Sequence, residues 1–340
     1  MIQKIKAWFM GLPKTLRIFI SLLLVVVVLL VPRFLTSSYI MGIICRILLY
    51  ITLAGSLNVI NGYTGQFSIG HAGFFAVGCY TTAILSSNYG WNFWLTLPLA
   101  GILTAIIGLL VALPTFRMTG IYLSIVTLGF SEIIRLIALN WTGLTGGPLG
   151  IKGIPAPQFL GMNIRRAGDY YYIFLLFAVL FLLTTHRVLK SRIGRAWMSI
   201  REDQQAAQSL GVQLVKYKAM NFAYGAFWAG LAGAIYAPYI NYVDSNTFTL
   251  DEGFNILSMA IIGGMGTLGG PVLGSFVVNI LNELLRPVSA YRLVVYGLLI
   301  VVMMWIRPQG LIGASDSMLA DDRTGLDLLE RLGLKKRRTA

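Results

Sequence analysis

An all-helical integral membrane protein is the fold class this sequence predicts, and three observations predict it. Of 340 residues, 56% are hydrophobic and 12% charged, against roughly 45–50% and about 25% in soluble domains. The charges cluster: residues 39–185 hold eight and 219–306 hold six, whereas the short segment 186–218 between them holds nine. Apolar stretches near the roughly 20 residues that a membrane span requires recur on both sides of that charged segment. These features exclude a solvated globular surface and a disordered chain, which needs low hydrophobicity.

Ten apolar segments follow in order, at about 18–35, 40–61, 64–85, 93–113, 118–140, 170–186, 215–240, 253–268, 270–286 and 291–306. The first begins after Lys4, Lys6, Lys14 and Arg17, and its run from Ile18 to Val31 has the length of a signal peptide. Pro32, Arg33, Phe34 and Leu35 follow in place of a small-residue cleavage site, so a retained helix is expected. The second and third flank a glycine-rich stretch, Gly62 to Gly73, and the fifth carries Glu132 and Arg135. The eighth and ninth are short and glycine-rich. They are either two spans or a re-entrant pair, a form tolerated only where it is buried in protein or lines a cavity. The chain therefore divides into a membrane domain, 1–312, with a loop at 187–218, and a tail, 313–340. In the tail, Leu326, Leu329 and Leu332 precede a basic cluster; an amphipathic helix and a solvated tail both fit.

Charge fixes the expected orientation, because Lys and Arg collect on the cytoplasmic side. With the N-terminus inside, 19 of the 27 basic residues are cytoplasmic and six are outside, which places both termini and the 187–218 loop in the cytoplasm. Trp91, Trp94, Trp141 and Tyr170 to Tyr172 then fall at the outer interface as an aromatic belt. The net charge of +14 thus reflects topology and contact with membrane lipid rather than nucleic acid.

Chemistry is sparse. No G-x-x-x-x-G-K-[ST] occurs, so ATP hydrolysis by a P-loop is excluded, and no H-E-x-x-H occurs. Gly264-Met265-Gly266-Thr267-Leu268-Gly269 fits a dinucleotide pattern, with Glu283 downstream, but it lies between membrane spans instead of inside a βαβ unit. No cofactor is expected. The two cysteines, Cys45 and Cys79, lie in apolar stretches, so no metal site or disulfide framework is expected either. No catalytic constellation marks an enzyme.

Two polar places within the spans are candidates for a translocation pathway. Gly62 to Gly73 contains Gln66, Ser68, Gly70 and His71, and such a stretch either unwinds to meet a solute or packs helices closely. Glu132 and Arg135, three apart on one helix face, read as a pathway contact or an internal ion pair. In the loop, Trp197, Ile200, Gln204, Ala207 and Leu210 recur at helical spacing, which predicts one helix over about 194–210 ended by Gly211. That helix either links two spans or docks a partner, with Ala206 and Ala207 allowing close approach and Arg201, Glu202 and Asp203 pairing at its flank.

Five ordered blocks carry a resemblance that favours docking. They are Asn58–Phe74, Thr145-Gly146-Gly147 with Gly150-Ile151, Arg195 to Lys218, Gly263–Pro271 and Arg307–Leu311. Together they resemble the branched-chain amino acid permease family of ATP-binding-cassette importers, and its M-type subunit in particular. The loop block is similar to that group's EAA motif, with Gln205 standing where glutamate is usual. The resemblance implies ATPase docking through Glu202, Ala206, Ala207 and Gly211. It also implies an H-type permease partner, two ATPase subunits, an extracytoplasmic substrate-binding protein and a bacterial-type inner membrane. Urea and short amides are further solutes that similar permeases carry. An ion-coupled secondary transporter is the competing class; it would need ionisable sites within the spans, for which Glu132 and Glu283 are the candidates.

Overall fold

The computed structural model describes residues 29–34, 37–115, 118, 120–159, 162–286, 291–306 and 309–312. Most of the first expected span, the four N-terminal basic residues and the 313–340 tail lie outside the described residues. The main helices among the described residues are α1 (Ser38–Asn58), α2 (His71–Ser87), α3 (Phe93–Thr115), α4 (Ile121–Asn140), α5 (Ala167–Lys190), α6 (Arg192–Glu202), α7 (Gln204–Ser209), α8 (Leu214–Ile240), α9 (Leu250–Gly263), α10 (Gly270–Leu284) and α11 (Arg292–Ile306).

Among the described residues, four helical stretches are long and apolar enough to cross a membrane: Ser38–Tyr63, Phe93–Leu113, Ile121–Asn140 and Ala167–Lys190. By contrast, α9 and α10 have 14 and 15 residues. At about 1.5 Å per residue they reach about 21–23 Å, short of the roughly 30 Å hydrocarbon core.

The centre of the bundle is α8, packed along α3 and α2. Its contact face is built from alanine and glycine, including Ala226, Ala229, Gly230, Gly233 and Ala234. A Cβ placed on Gly78 of α2 would overlap the Gly230 backbone, and one on Gly233 would overlap the Phe75 carbonyl. Backbones therefore touch directly, the arrangement that small residues permit between helices in a membrane. The inner half of α1 is continuously buried from Ile51 to Asn58, which makes it the second core helix.

Two small antiparallel pairs form one end of the bundle. β1 (Ile151–Lys152) pairs with β4 (Tyr242–Val243), Ile151 opposite Val243, and β2 (Gln158–Phe159) pairs with β3 (Met162–Asn163). The Trp94 indole N–H donates to the Gln158 carbonyl there, at 2.7 Å. Of the expected aromatic belt, Trp91, Trp141 and Tyr172 are exposed, but Tyr170 and Tyr171 are buried. Successive residues on a helix lie about 100° apart at 3.6 per turn, so three adjacent tyrosines cannot share one face. Tyr170 packs edge-on against Tyr239 instead.

Candidate functional site

The opposite end of the bundle gathers the candidate residues. There, α1 continues as a π-helical turn, Val59–Tyr63. The chain then leaves helix altogether from Thr64 to Gly70 before α2 starts at His71. The segment expected as one span over 64–85 thus begins with an unwound stretch. Its geometry is held by side chains. Asn61 donates to the Ser68 carbonyl at 2.9 Å and accepts the Ser68 N–H at 3.0 Å. From α4, Ser124 donates to the Phe67 carbonyl at 2.9 Å, and Thr127 accepts the Ile69 N–H at 3.1 Å. Each bond satisfies a backbone group that a continuous helix would have paired internally.

A second break separates α9 from α10 at Gly264 to Gly269. Asn58 joins the two breaks: its carboxamide oxygen accepts the Gly266 N–H and its nitrogen donates to the Thr267 carbonyl, both at 2.8 Å. The Leu311 and Ile312 N–H groups close the same region by donating to the Ile262 and Gly263 carbonyls.

The pathway candidates separate into kinds. Gln66 is 3% exposed, and neither of its amide atoms has a hydrogen-bond partner among the described residues. The Ser68 and Thr64 hydroxyls are buried and unpartnered as well. Leaving such groups unpaired costs about 1–3 kcal/mol each, so this cluster in the first break is suited to a polar guest. His71 is fully buried, its Nε2 lies 2.6 Å from the Ser56 hydroxyl, and its ring meets Phe74 edge-on. It fastens the start of α2 to α1. Gly70 and Gly73 abut the α4 backbone at Thr127 and Ser131. Glu132 and Arg135 form a bidentate ion pair within α4, with contacts from 2.5 to 3.0 Å. Half-buried, they are paired within a single helix.

The charged loop folds differently from expectation. It forms two helices, α6 and α7, where one over 194–210 was expected. Asp203 is extended, and its carboxylate accepts the Gln205 and Ala206 N–H groups at 2.7 and 3.0 Å. An aspartate N-cap satisfies the orphan donors of a new helix, and that capture breaks the old one. Trp197 and Ile200 are buried, and the Trp197 indole donates to the Tyr217 carbonyl at 2.9 Å. Lys218 donates to the Gln204 carboxamide at 2.9 Å, fastening α7 to α8. Gly211, at φ +85°, ends α7 in the left-handed conformation that glycine adopts freely.

Of the four expected docking residues, Glu202, Ala206 and Gly211 are exposed beside Leu210. Ala207 is 2% exposed and faces the permease itself. Two of the flank residues also make bonds within this chain. Asp203 is used by its cap, and Arg201 donates to the Gly62 carbonyl at 2.6 Å. Asn58 and Arg201 are the residues whose place here sequence reasoning missed. Both stand inside the blocks that carried the resemblance, but their partners lie 208 and 139 positions away.

Comparison with known proteins agrees with this architecture. The family described as the permease component of the branched-chain amino acid transport system matches residues 39–304. The chain is similar to the high-affinity branched-chain amino acid transport system permease protein LivM of Salmonella typhimurium, 37% identical over 319 residues, covering 87% of this chain and 75% of that protein. The protein of that name from Escherichia coli is 36% identical over 302 residues, covering 82% and 71%. The autoinducer 2 import system permease protein LsrC of Salmonella paratyphi B is 30% identical over 169 residues, covering 47% and 46%. No solved structure matches.

Proposed function

The chain belongs to the family of permease components of the branched-chain amino acid transport system and is a membrane transport permease; from that premise we propose that it is one membrane subunit of an ATP-binding-cassette importer for branched-chain amino acids or a similar small polar solute. The observation that carries this reading is the family match across residues 39–304, which takes in both helix breaks and the charged loop. In this reading an H-type permease completes the membrane channel, two separate ATPase subunits perform the hydrolysis, and an extracytoplasmic binding protein delivers the solute. The chain itself is not an enzyme.

The subunit has about ten membrane segments in a bacterial inner membrane, the eighth and ninth being α9 and α10, which either cross as short spans or form a re-entrant pair, and both termini and the 187–218 loop lie in the cytoplasm. The excess of Lys and Arg on that side supports the orientation. The ATPase docks on the exposed side of α6 and α7, at Glu202, Ala206 and Gly211, while Ala207 supports that surface from beneath. Solute passes the first break, where Gln66 and Ser68 offer unpartnered polar atoms. Gly70, His71 and Gly73 set the shape of that break, and Glu132 lies farther along the pathway on α4.

Reconstitution tests the reading. Proteoliposomes holding this chain with its partner permease, the ATPase subunits and the binding protein should take up radiolabelled leucine only with internal ATP. Uptake driven by an ion gradient without ATPase subunits would mark a secondary transporter. Uptake of urea or a short amide in place of leucine would keep the mechanism and change the solute.

A further inference from the structure

Arg201 stands at the last turn of α6, one residue before the docking surface; the residue is exposed, but its guanidinium reaches across to the end of α1. Its guanidinium donates to the Gly62 carbonyl at 2.6 Å, in the π-helical turn that ends α1. The carbonyl end of a helix carries partial negative charge, and a charge-assisted bond there is shorter and stronger than a neutral one. Among the described residues no carboxylate is ion-paired with Arg201, so this carbonyl is its charge-bearing contact. The same guanidinium lies against Gly266: a Cβ built on Gly266 would strike it, and one on Gly62 would strike the Gly266 backbone nitrogen. The two breaks and the tip of Arg201 therefore meet at one point. Asn58 fixes the breaks to each other there, through its two 2.8 Å bonds. Farther along the unwound stretch, the Gly65 backbone rests on the stem of Arg201, with a Cβ at Gly65 falling 3.4 Å from Cγ.

We infer that Arg201 is a positioning residue that ties the ATPase-docking helices to the joined breaks, so that movement of α6 on the ATPase is delivered to the Gly62 turn and, through Asn58, to the Gly264–Gly269 turn. This rests on the docking assignment proposed above. It adds the route by which motion leaves the docking surface: one arginine-to-carbonyl bond crossing from the loop to the π-helical end of α1, where the two breaks meet. A break in the helical ladder is where a small displacement changes the path of the chain, because no continuous hydrogen-bond row resists it.

The experiment compares wild type, Arg201→Gln, Arg201→Lys and the pair Gly65→Cys/Arg201→Cys in the full reconstituted complex. Three quantities are read: ATPase subunits retained on purification, ATP hydrolysed and leucine transported. In Arg201→Gln the ATPase should stay bound while leucine moved per ATP falls at least tenfold; Arg201→Lys should recover part of it. Cysteines at 65 and 201 would have Cβ atoms 3.8 Å apart, the usual disulfide spacing of about 3.8 Å; Gly65 stands at φ +69°, a strained place for cysteine, so formation of the bond is confirmed by thiol titration before coupling is read, and the native Cys45 and Cys79 are buried. Oxidation of the double variant should restore coupling by a covalent tie, and reduction should abolish it again.

Undiminished leucine per ATP in Arg201→Gln would overturn the proposal, as would an oxidised double variant no better coupled than the reduced one. Failure of Arg201→Gln to accumulate in the membrane would make the residue merely structural and overturn it too. Absence of ATP-driven uptake in the wild-type complex is a separate result, which would remove the underlying importer assignment.

Discussion

Glu132 and Arg135 face the same way on α4 and neutralise each other through a bidentate pair. A lone arginine at the middle of a span is about 2.5–3.5 kcal/mol unfavourable to insert. Glu132→Gln should therefore lower the yield of membrane-inserted protein, and Glu132→Gln with Arg135→Gln should recover most of it, measured as detergent-extracted monodisperse permease. Gln66 should behave in the opposite sense. Its buried amide has no partner among the described residues, and removing an unsatisfied buried group relieves a desolvation cost of about 1–3 kcal/mol. Gln66→Leu is expected to keep or raise thermal stability while raising the KM for uptake severalfold. Lost stability with unchanged KM would assign Gln66 to packing. Stability and activity diverge in this way where a site is kept polar for its guest.

Among the elements, α7 separates two neighbouring alanines that the sequence presents as equals. Ala206 is exposed and Ala207 is buried, because successive helical residues point about 100° apart and only Ala207 shares the face of Trp197 and Ile200. Overpacking a fitted contact costs about 1–3 kcal/mol, equivalent to roughly a five- to 150-fold loss of affinity when that contact is intermolecular. Ala206→Trp should strip the ATPase subunits from an otherwise normal permease. Ala207→Trp should unseat α7 from its own chain and lower thermal stability before any ATPase is added. Co-purification and a melting curve on each variant distinguish the two. The crossing of α2 and α8 is as demanding. Gly230 meets Gly78 backbone to backbone and also lies against Thr104 of α3, so Gly230→Val should prevent the bundle from closing, seen as aggregated or degraded protein in membranes.

For the whole molecule, the arrangement of ends is the testable claim. The α1–α2 break, the charged loop and the α9–α10 break meet at one end, and the paired β strands lie at the other. Because Cys45 and Cys79 are buried, a single introduced cysteine reports its own location. A cysteine at Ser209 should resist an impermeant thiol reagent applied to intact cells, and one at Lys152 should react. Labelling at Ser209 from outside would invert the molecule.

Composition and periodicity alone determined that this chain lives in a membrane as helices, which stretches are glycine-rich, and which loop is charged. Those properties depend on local physics: apolar residues in runs partition into lipid, glycines interrupt them, and basic residues stay on one side. The helix boundary at Gly211 was legible for the same reason, since a left-handed terminus is a property of one residue type. The tertiary structure decided what depends on distant partners. It buried Ala207 against the rest of the chain, packed Tyr170 against Tyr239 while Tyr172 stays exposed, and set Asn58 and Arg201 at the junction of two breaks. A helical pattern shows which residues share a face, but not what packs against that face. Asn58 and Arg201 owe their roles to backbone atoms 208 and 139 residues away, and only the folded bundle brings those atoms within reach.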